Sequence, residues 1–552
     1  MKYYLIVKDF FKLYKLPCFS GIFLGCSFIP FPFFAWFFAF VPLWLFLYRQ
    51  NSLKKILVAC FLTQFISTFI GFNWIVYTVY VFAQMNWFFS FLILVLFCCF
   101  ANSYILISGW IWFLLSKKNS IFSIKLILFP VLFSLFHSLI PTLFPWNMGY
   151  PWLWGGLWGM QTAELWGFRF LNTLFYIFNL LFLIVFYHIR KKSLDKNYQP
   201  AKSYFQKVKQ KVSSYYLDSI ALKALASAIF LFLFLNLLGL YLKQRLPEPD
   251  QKLKVIVVQH NLSALNKVSE HRIFFNLQRL TYRSLKTAFQ EKKDLKSLKD
   301  IDLIVWPEGA YPYPLKKSNQ THSPMKDLIK KIKIPIVTGG TSITSEGQIQ
   351  NSVFLFDREA LLLKPIYSKI KLLIFGEYFP LIDKFPILRK LFPYFFSSMI
   401  PGKVLQAQEL EGVLYAWPIC YEILFDKLTR TFANQKAQVF VNFTIDSWYG
   451  FWQQPYQHLT MSFARAIELR RPLIRSTNTG FSGVILANGD IESISPLNKA
   501  WYALYEIPYY KKPLQTLFMS WGYFINEIFL SFLALFIAFL KFRKHFEISR
   551  TN

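Results

Sequence analysis

Three residue types that together can run covalent acyl chemistry close apolar runs in the second half of the chain. "IVWPEG" presents Glu308, "YSKIKLLIFGEY" presents Lys369 with Lys371 and Glu377 beyond it, and "AWPICYEILF" presents Cys420 followed by Tyr421 and Glu422. A thiol attacks only as thiolate, so it needs a base for its proton and a positive group to steady thiolate and oxyanion. A carboxylate, a cysteine and a lysine fill those roles. Each alone has a plainer reading: a cysteine after a strand is a small buried hydrophobe, Glu308 caps a helix, and Lys369 is a solvated charge. Cys420 nevertheless stands apart. The other five cysteines, Cys18, Cys26, Cys60, Cys98 and Cys99, lie in long hydrophobic stretches, which leaves Cys420 an unpaired thiol in its own domain.

Other chemistries find less support. His260, His322 and His458 are scattered without ligand-like spacing, so no metal and no other cofactor is expected. "TGGTS" reads as a loop rather than a phosphate cradle, since no lysine follows at P-loop spacing.

The elements that must hold these residues are short, β-branched and bounded by turn residues. "LKVIVVQHN", "IDLIVWPEG", "IPIVTGG", "NSVFLFD", "GVLYAWPIC", "AQVFVNFT", "RPLIRSTN" and "SGVILANG" predict buried strands. "SPMKDLIKKIK" and the 456–470 segment, with Leu459, Phe463, Ala466 and Ile467 at helical spacing, predict helices between them. The 253–510 segment is therefore an α/β domain with helices covering a sheet. Catalytic groups belong where rigid strands give way to loops.

The remainder is a membrane protein. The 552 residues are 55% hydrophobic, 20% aromatic and only 16% charged, against about 25% charged in soluble domains. Apolar windows near 17–30, 32–48, 56–81, 87–115, 124–143, 168–188, 220–242 and 518–541 predict about eight spans. The first two are short, separated by "IPFPFF", and read as a tight or partly re-entrant pair. Seven spans fall in a region of residues 1–245 and one in 518–541. "KLPC" lacks the small residues of a processing site, so the N-terminus reads as an uncleaved anchor.

The formal net charge of +32 sits in clusters beside these windows, which points to lipid surfaces and topology rather than to nucleic acid. Lys8, Lys12 and Lys15, then Arg49, Lys54 and Lys55, then Lys117 and Lys118, then "HIRKKSLDK" mark every second loop. That alternation predicts both termini in the cytoplasm and the 253–510 domain outside.

Taken together, "VVQHN", "VWPEGAYP", "YSKIKLLIFGEYFPL", "PICYEILF", "VNFTIDSWYG" and "PYQHLTMSFARAIELRRPLIRSTNTGFSGVI" resemble the bacterial apolipoprotein N-acyltransferases. These are multi-pass α-helical membrane bundles bearing an extramembrane α/β domain, the nitrilase-like αββα sandwich of the carbon–nitrogen hydrolases. The resemblance runs through nearly the whole chain. It implies that Glu308 is the general base, Lys369 the support of the intermediate and Cys420 the nucleophile, with Glu377 and Glu422 as supporting carboxylates and Tyr421 beside the nucleophile. The eight-residue spacing to Glu377 favours Lys369 over Lys371. It further implies a phospholipid acyl donor, a diacylglyceryl apolipoprotein acceptor, a thioester on the enzyme, and an inner-membrane protein whose catalytic domain is periplasmic. The alternative is a membrane-tethered amidase using the same trio. A transporter reading fits less well, because charged residues are nearly absent from the spans.

Two positions depart from the family pattern. Where the family often shows a glycine, and a few residues later a tryptophan near the substrate, this chain has His260 and no tryptophan between it and Trp306. Ile445 stands where an asparagine is common. The aromatic and proline-rich 378–402 segment reads as a lipid-facing lid, and "YPYPLKKSNQTHSPM" after Glu308 as a second mobile loop.

Overall fold

The computed structural model describes residues 2–117, 122–194, 219–262, 269–291, 295, 297–316, 323–374, 376–378, 399–524, 526–528, 530–536 and 539. The chain forms two compact units, one of residues 1–73, 94–242 and 523–552, the other of residues 74–93 and 243–522.

The first unit is helical. Among the described residues of the whole chain, Leu53–Gly71, Trp87–Ser116, Trp158–Ile189 and Ser219–Gln244 are long and apolar enough to cross a membrane, and shorter apolar helices cover 33–48, 124–139 and 526–536. Four expected windows are broken: 87–115 is two helices, Trp87–Phe100 and Tyr104–Ser116, and the other three each have an identifiable local cause. In 32–48 a 3-10 turn, Phe33–Phe38, precedes the helix Val41–Tyr48. Asn179 satisfies the backbone between them, accepting from Phe40 N at 2.8 Å and donating to the Trp36 carbonyl at 3.0 Å. Irregular backbone at membrane depth needs such a partner, because no water is there to supply one. In 56–81 the helix ends at Gly71 and a new one runs Ile75–Phe82; Asn73 Nδ2 caps the first by donating to the Ile70 carbonyl at 2.9 Å. In 518–541 a separate turn, Leu517–Trp521, starts on the Thr516 side chain and stops at Gly522, whose φ of 60° is left-handed. One pair of opposite charges lies within these helices: Arg169 meets Glu527 at 2.8 Å, which lowers the cost of an isolated ion in lipid.

Among its described residues the second unit holds thirteen strands in two sheets: β1 (Gln251–Gln259), β2 (Leu303–Val305), β3 (Tyr311–Lys316), β4 (Ile336–Ile343), β5 (Ile349–Phe356), β6 (Tyr367–Ser368), β7 (Gln408–Leu410), β8 (Val413–Ala416), β9 (Val439–Thr444), β10 (Leu473–Thr477), β11 (Gly483–Ile485), β12 (Ile491–Ile494) and β13 (Trp501–Tyr509). One sheet runs β13-β1-β2-β4-β5-β6 with β3 on β4; the other runs β12-β11-β10-β9-β8-β7. Their central strands β1, β2 and β4, and β8, β9 and β10, pair in parallel. This explains the continuous apolar runs, because parallel strands are buried on both faces. Ile256, Val258, Ile304, Ile336 and Phe354 of the first sheet pack with Phe274, Leu277, Met325 and Leu328 of the helices Glu270–Glu291 and Ser323–Ile332. The sheets meet through Ser476 Oγ and Thr477 Oγ1, which donate to the Val258 carbonyl and to Gln259 Oε1. The helices Asp426–Asn434 and Gln454–Leu469 belong to the second sheet's side, where Phe432 stacks edge-on against Phe440 of β9. The order is helix, sheet, sheet, helix.

Two loop expectations change. "TGGTS" lies inside β4, not in a loop. Of the loop expected after Glu308, residues 311–316 form β3, paired in parallel with β4; 317–322 lie outside the described residues, as do 379–398 of the expected lid.

Candidate active site

Glu308 stands three residues after β2, Lys369 directly after β6 and Cys420 four residues after β8. All three are at most 5% exposed. Glu308 Oε1 accepts from Asn351 Nδ2 at 2.7 Å and lies 3.8 Å from Lys369 Nζ. Glu377 Oε1 takes both Asn351 Nδ2 and Lys369 Nζ at 2.9 Å, while its Oε2 takes Leu373 N at 2.8 Å. Asn351, the third residue of β5, thus bridges the two carboxylates.

The lysine beside these carboxylates is Lys369. Lys371 is exposed, with its ammonium over the Phe425 ring.

Burial raises the Glu308 pKa, opposed by Lys369, while Glu377 pushes it further up. Asn351 and the Cys420 thiol pull the Glu308 pKa down in turn, and among the described residues Glu308 Oε2 is buried with no hydrogen-bond partner. Burial alone would lower the Lys369 pKa, but Glu377, Glu308 and Cys420 outweigh it and keep the ammonium charged. Burial and then Glu308 hold the Cys420 pKa well above the ordinary thiol range, with Lys369 pulling it down. The resting pair is therefore a thiol facing a carboxylate with an open lone pair.

Cys420 adopts φ 51°. A left-handed backbone at a residue with a side chain costs about 1–3 kcal/mol and persists only where neighbours over-determine it. Glu422 is one such neighbour. Its Oε2 accepts from Ile419 N at 2.9 Å and Tyr367 Oη at 2.8 Å, and its Oε1 from Ile370 N at 2.6 Å and Lys371 N at 3.0 Å. With both oxygens filled and no exposure, Glu422 braces the site. Tyr421 packs edge-on against Phe425, and burial pushes its phenol up to about 12.

Gly339 explains a short stretch of sequence. A methyl group there would lie 2.7 Å from Glu308 Cα, so only glycine lets β4 pass under the backbone of Glu308. Ile445 packs at Gly309, next to Glu308, where a Cβ would lie 3.2 Å from its Cδ1. His260 is buried at the end of β1, its Nδ1 accepting from Leu262 N at 2.9 Å, and burial pushes its pKa down to about 4. Among the described residues no group of His, Cys, Asp and Glu could hold a metal ion.

Residues that sequence reasoning missed surround the trio. Asn351 and Asn442 read as polar interruptions of buried strands, and such interruptions are the available signal, since a buried amide requires partners. Asp446, His458 and Arg475 form a second network behind Cys420: Arg475 Nη2 donates to Asp446 Oδ2 at 2.9 Å, and His458 Nδ1 lies 3.0 Å from Asp446 Oδ1. Residues 74–82 also belong to this unit. Trp74 Nε1 donates to Gln457 Oε1 at 3.2 Å and its ring meets Tyr449 edge-on, while Phe82 meets Trp448.

Two stacked sheets between helices, with a buried Glu, Lys and Cys at the strand ends, define a nitrilase-like carbon–nitrogen hydrolase domain, here on a chain with apolar helices consistent with a membrane protein. The carbon–nitrogen hydrolase family matches residues 264–499, and the apolipoprotein N-acyltransferase N-terminal domain matches residues 20–181. The chain is 33% identical over 545 residues to an apolipoprotein N-acyltransferase of Bdellovibrio bacteriovorus, covering 94% of this chain and 93% of that one. It is 32% identical to apolipoprotein N-acyltransferase 2 of Treponema denticola over 53% of this chain and 56% of that one. Among solved structures it is similar to Saccharomyces cerevisiae Nit3, a member of branch 10 of the nitrilase superfamily, at 16% identity and a TM-score of 0.37, covering 47% of this chain and 91% of that one. The chain belongs to the apolipoprotein N-acyltransferases, bacterial membrane enzymes of lipoprotein N-acylation.

Proposed function

We propose that this enzyme moves an acyl chain from a phospholipid to the α-amino group of an S-diacylglyceryl cysteine at a lipoprotein N-terminus, through a thioester on Cys420. The open oxygen of Glu308 beside the Cys420 thiol carries the reading. Glu308 takes the thiol proton and the thiolate attacks the ester carbonyl. The Lys369 ammonium stabilises the tetrahedral oxyanion, a contribution typically worth about 10²–10³ in rate. The ester C–O bond then breaks, and Glu308 returns its proton to the departing lysophospholipid oxygen. In the second half the amine attacks the thioester, Glu308 takes the amine proton, and the amide forms as the thiol is released.

Glu377 and Asn351 hold Lys369 and Glu308 in place, and Glu422 braces the lysine loop against the cysteine turn. The location that suits these substrates is the inner membrane with residues 253–510 on the periplasmic side, because both donor and acceptor are lipid-anchored.

The test is to supply phospholipid without acceptor and digest the enzyme. An acyl group on the 416–425 peptide, released by hydroxylamine and absent in Cys420→Ala, is the expected result. Acyl transfer that persists in Cys420→Ala would falsify the covalent route, and, once a diacylated lipopeptide is added as acceptor, release of free fatty acid in place of acylated lipopeptide would favour the amidase.

A further inference from the structure

We infer that Asn442 is a positioning residue that aims the Cys420 thiol, held in its own orientation by Arg475. This rests on the reading of Cys420 as the nucleophile. Asn442 lies on β9, fully buried. Its Nδ2 donates to two carbonyls on either side of Ile419, that of Pro418 at 3.0 Å and that of Cys420 at 3.2 Å. One amide group therefore spans the segment in which the chain turns into the left-handed conformation of Cys420, at φ 51°.

The amide can face only one way. Arg475, its register partner on β10, donates to Asn442 Oδ1 through Nη1 at 2.5 Å. A guanidinium only donates, so the amide oxygen must face it and the amide N–H groups must face the carbonyls. Arg475 is itself fixed, donating to Ser462 Oγ at 2.9 Å, Thr444 Oγ1 at 3.2 Å and Asp446 Oδ2 at 2.9 Å. Arg475 and Asp446 are at most 1% exposed.

The direction of the thiol depends on the backbone angles of Cys420, and those angles depend on where the carbonyl of Cys420 itself and that of Pro418, two residues before it, are held. A residue that pins both acts on the reacting atom without touching it. Misplacing a reacting group by about 1 Å costs on the order of 100-fold in rate, so a loss at this position belongs in kcat and in thiol reactivity, not in phospholipid binding.

The experiment uses the full-length protein in phospholipid nanodiscs and compares wild type with Asn442→Asp, which keeps the volume but turns a carboxylate oxygen toward the two carbonyls. Two rates are read: acylation of Cys420 without acceptor, and alkylation of Cys420 by iodoacetamide, followed by mass spectrometry of the 416–425 peptide. The expected result is a fall of about 10–100-fold in acylation, with the KM for phospholipid held within about two-fold and a parallel change in alkylation. Asn442→Ser, which keeps a short donor able to reach one carbonyl, should fall between the two and serves if the aspartate variant does not fold. Unchanged alkylation and acylation in both variants, or a loss confined to KM, overturns the assignment. A wild-type Cys420 that is never acylated overturns the nucleophile reading instead, while the alkylation rates still decide whether Asn442 aims the thiol.

Discussion

The Tyr367 hydroxyl donates to Glu422 Oε2 across 2.8 Å, joining the strand that ends before Lys369 to the turn that begins at Cys420. Three backbone N–H groups, of Ile419, Ile370 and Lys371, aim at the same carboxylate. Every partner is a donor, so Glu422→Gln would place an N–H2 group against donors and leave buried groups unsatisfied. We expect that variant to lose about 1–3 kcal/mol of stability and about 10–100-fold in kcat with little change in KM. Thermal unfolding in detergent together with steady-state kinetics checks it; a variant of normal stability and rate removes the bracing role.

Acid dependence follows from the direction of the Glu308 shift. Glu308 must be ionised to take the thiol proton, and burial has raised its pKa above the ordinary 4.5. The rate kcat/KM should therefore rise with pH along a limb lying above the usual carboxylate range. Lys369 opposes that shift, so Lys369→Met should move the limb to still higher pH as well as lowering the plateau. A pH profile of kcat/KM for both proteins reads this directly, and a limb left where it was by Lys369→Met would show that the lysine does not act on Glu308.

The trio was legible because its members end apolar runs, and a run ending in Trp-Pro-Glu or Pro-Ile-Cys marks a strand giving way to a loop. β13 was not legible in the same way. It pairs with β1 along nine residues, yet it is only part-buried and carries Pro508, so its apolar signal is diluted. Asn351 and Asn442 were missed because a strand pattern records which positions are buried, while the partners of a buried amide come from strands distant in sequence. The windows 56–81 and 518–541 misled for the opposite reason. Hydropathy runs straight through Asn73 and Gly522, where side-chain capping and a left-handed φ end the helices.

Asn351 offers a sharper probe of the carboxylates than removing either of them. Its single Nδ2 binds Glu308 at 2.7 Å and Glu377 at 2.9 Å. Asn351→Asp would set a third carboxylate among two that share one lysine, and like charges so close favour protonation. The expected outcome is a fall in kcat at neutral pH and an acid limb displaced upward, both visible in the pH profile of kcat/KM. An unshifted limb would mean that Asn351 does not sense the Glu308 charge.

Topology can be tested without activity. The alternation of basic loops places a reporter fused after Lys192 in the cytoplasm and one fused after Lys243 outside. Alkaline phosphatase, active only when exported, should therefore be active at the second position alone. Activity at Lys192, or its absence at Lys243, would reverse the orientation and place residues 253–510 away from exported lipoproteins.

Gly339 isolates position from chemistry. It lies in β4, and a Cβ there would sit 2.7 Å from Glu308 Cα and 3.1 Å from Gly309 N. Both contacts are backbone, so neither can swing aside as a flexible side chain would. Gly339→Ala must push the Glu308 backbone away from β4, and with it the carboxylate that faces the Cys420 thiol. No ionisable group is altered, so the pKa causes acting on Glu308 stay in place while its reach changes. We expect acylation of Cys420 to slow by about 100-fold, with KM and the position of the acid limb nearly constant. Measuring single-turnover acylation across pH separates the outcomes. A displaced limb would mean that the substitution acts through charge, and a normal rate would mean that the approach of β4 to Glu308 is not needed for the reaction.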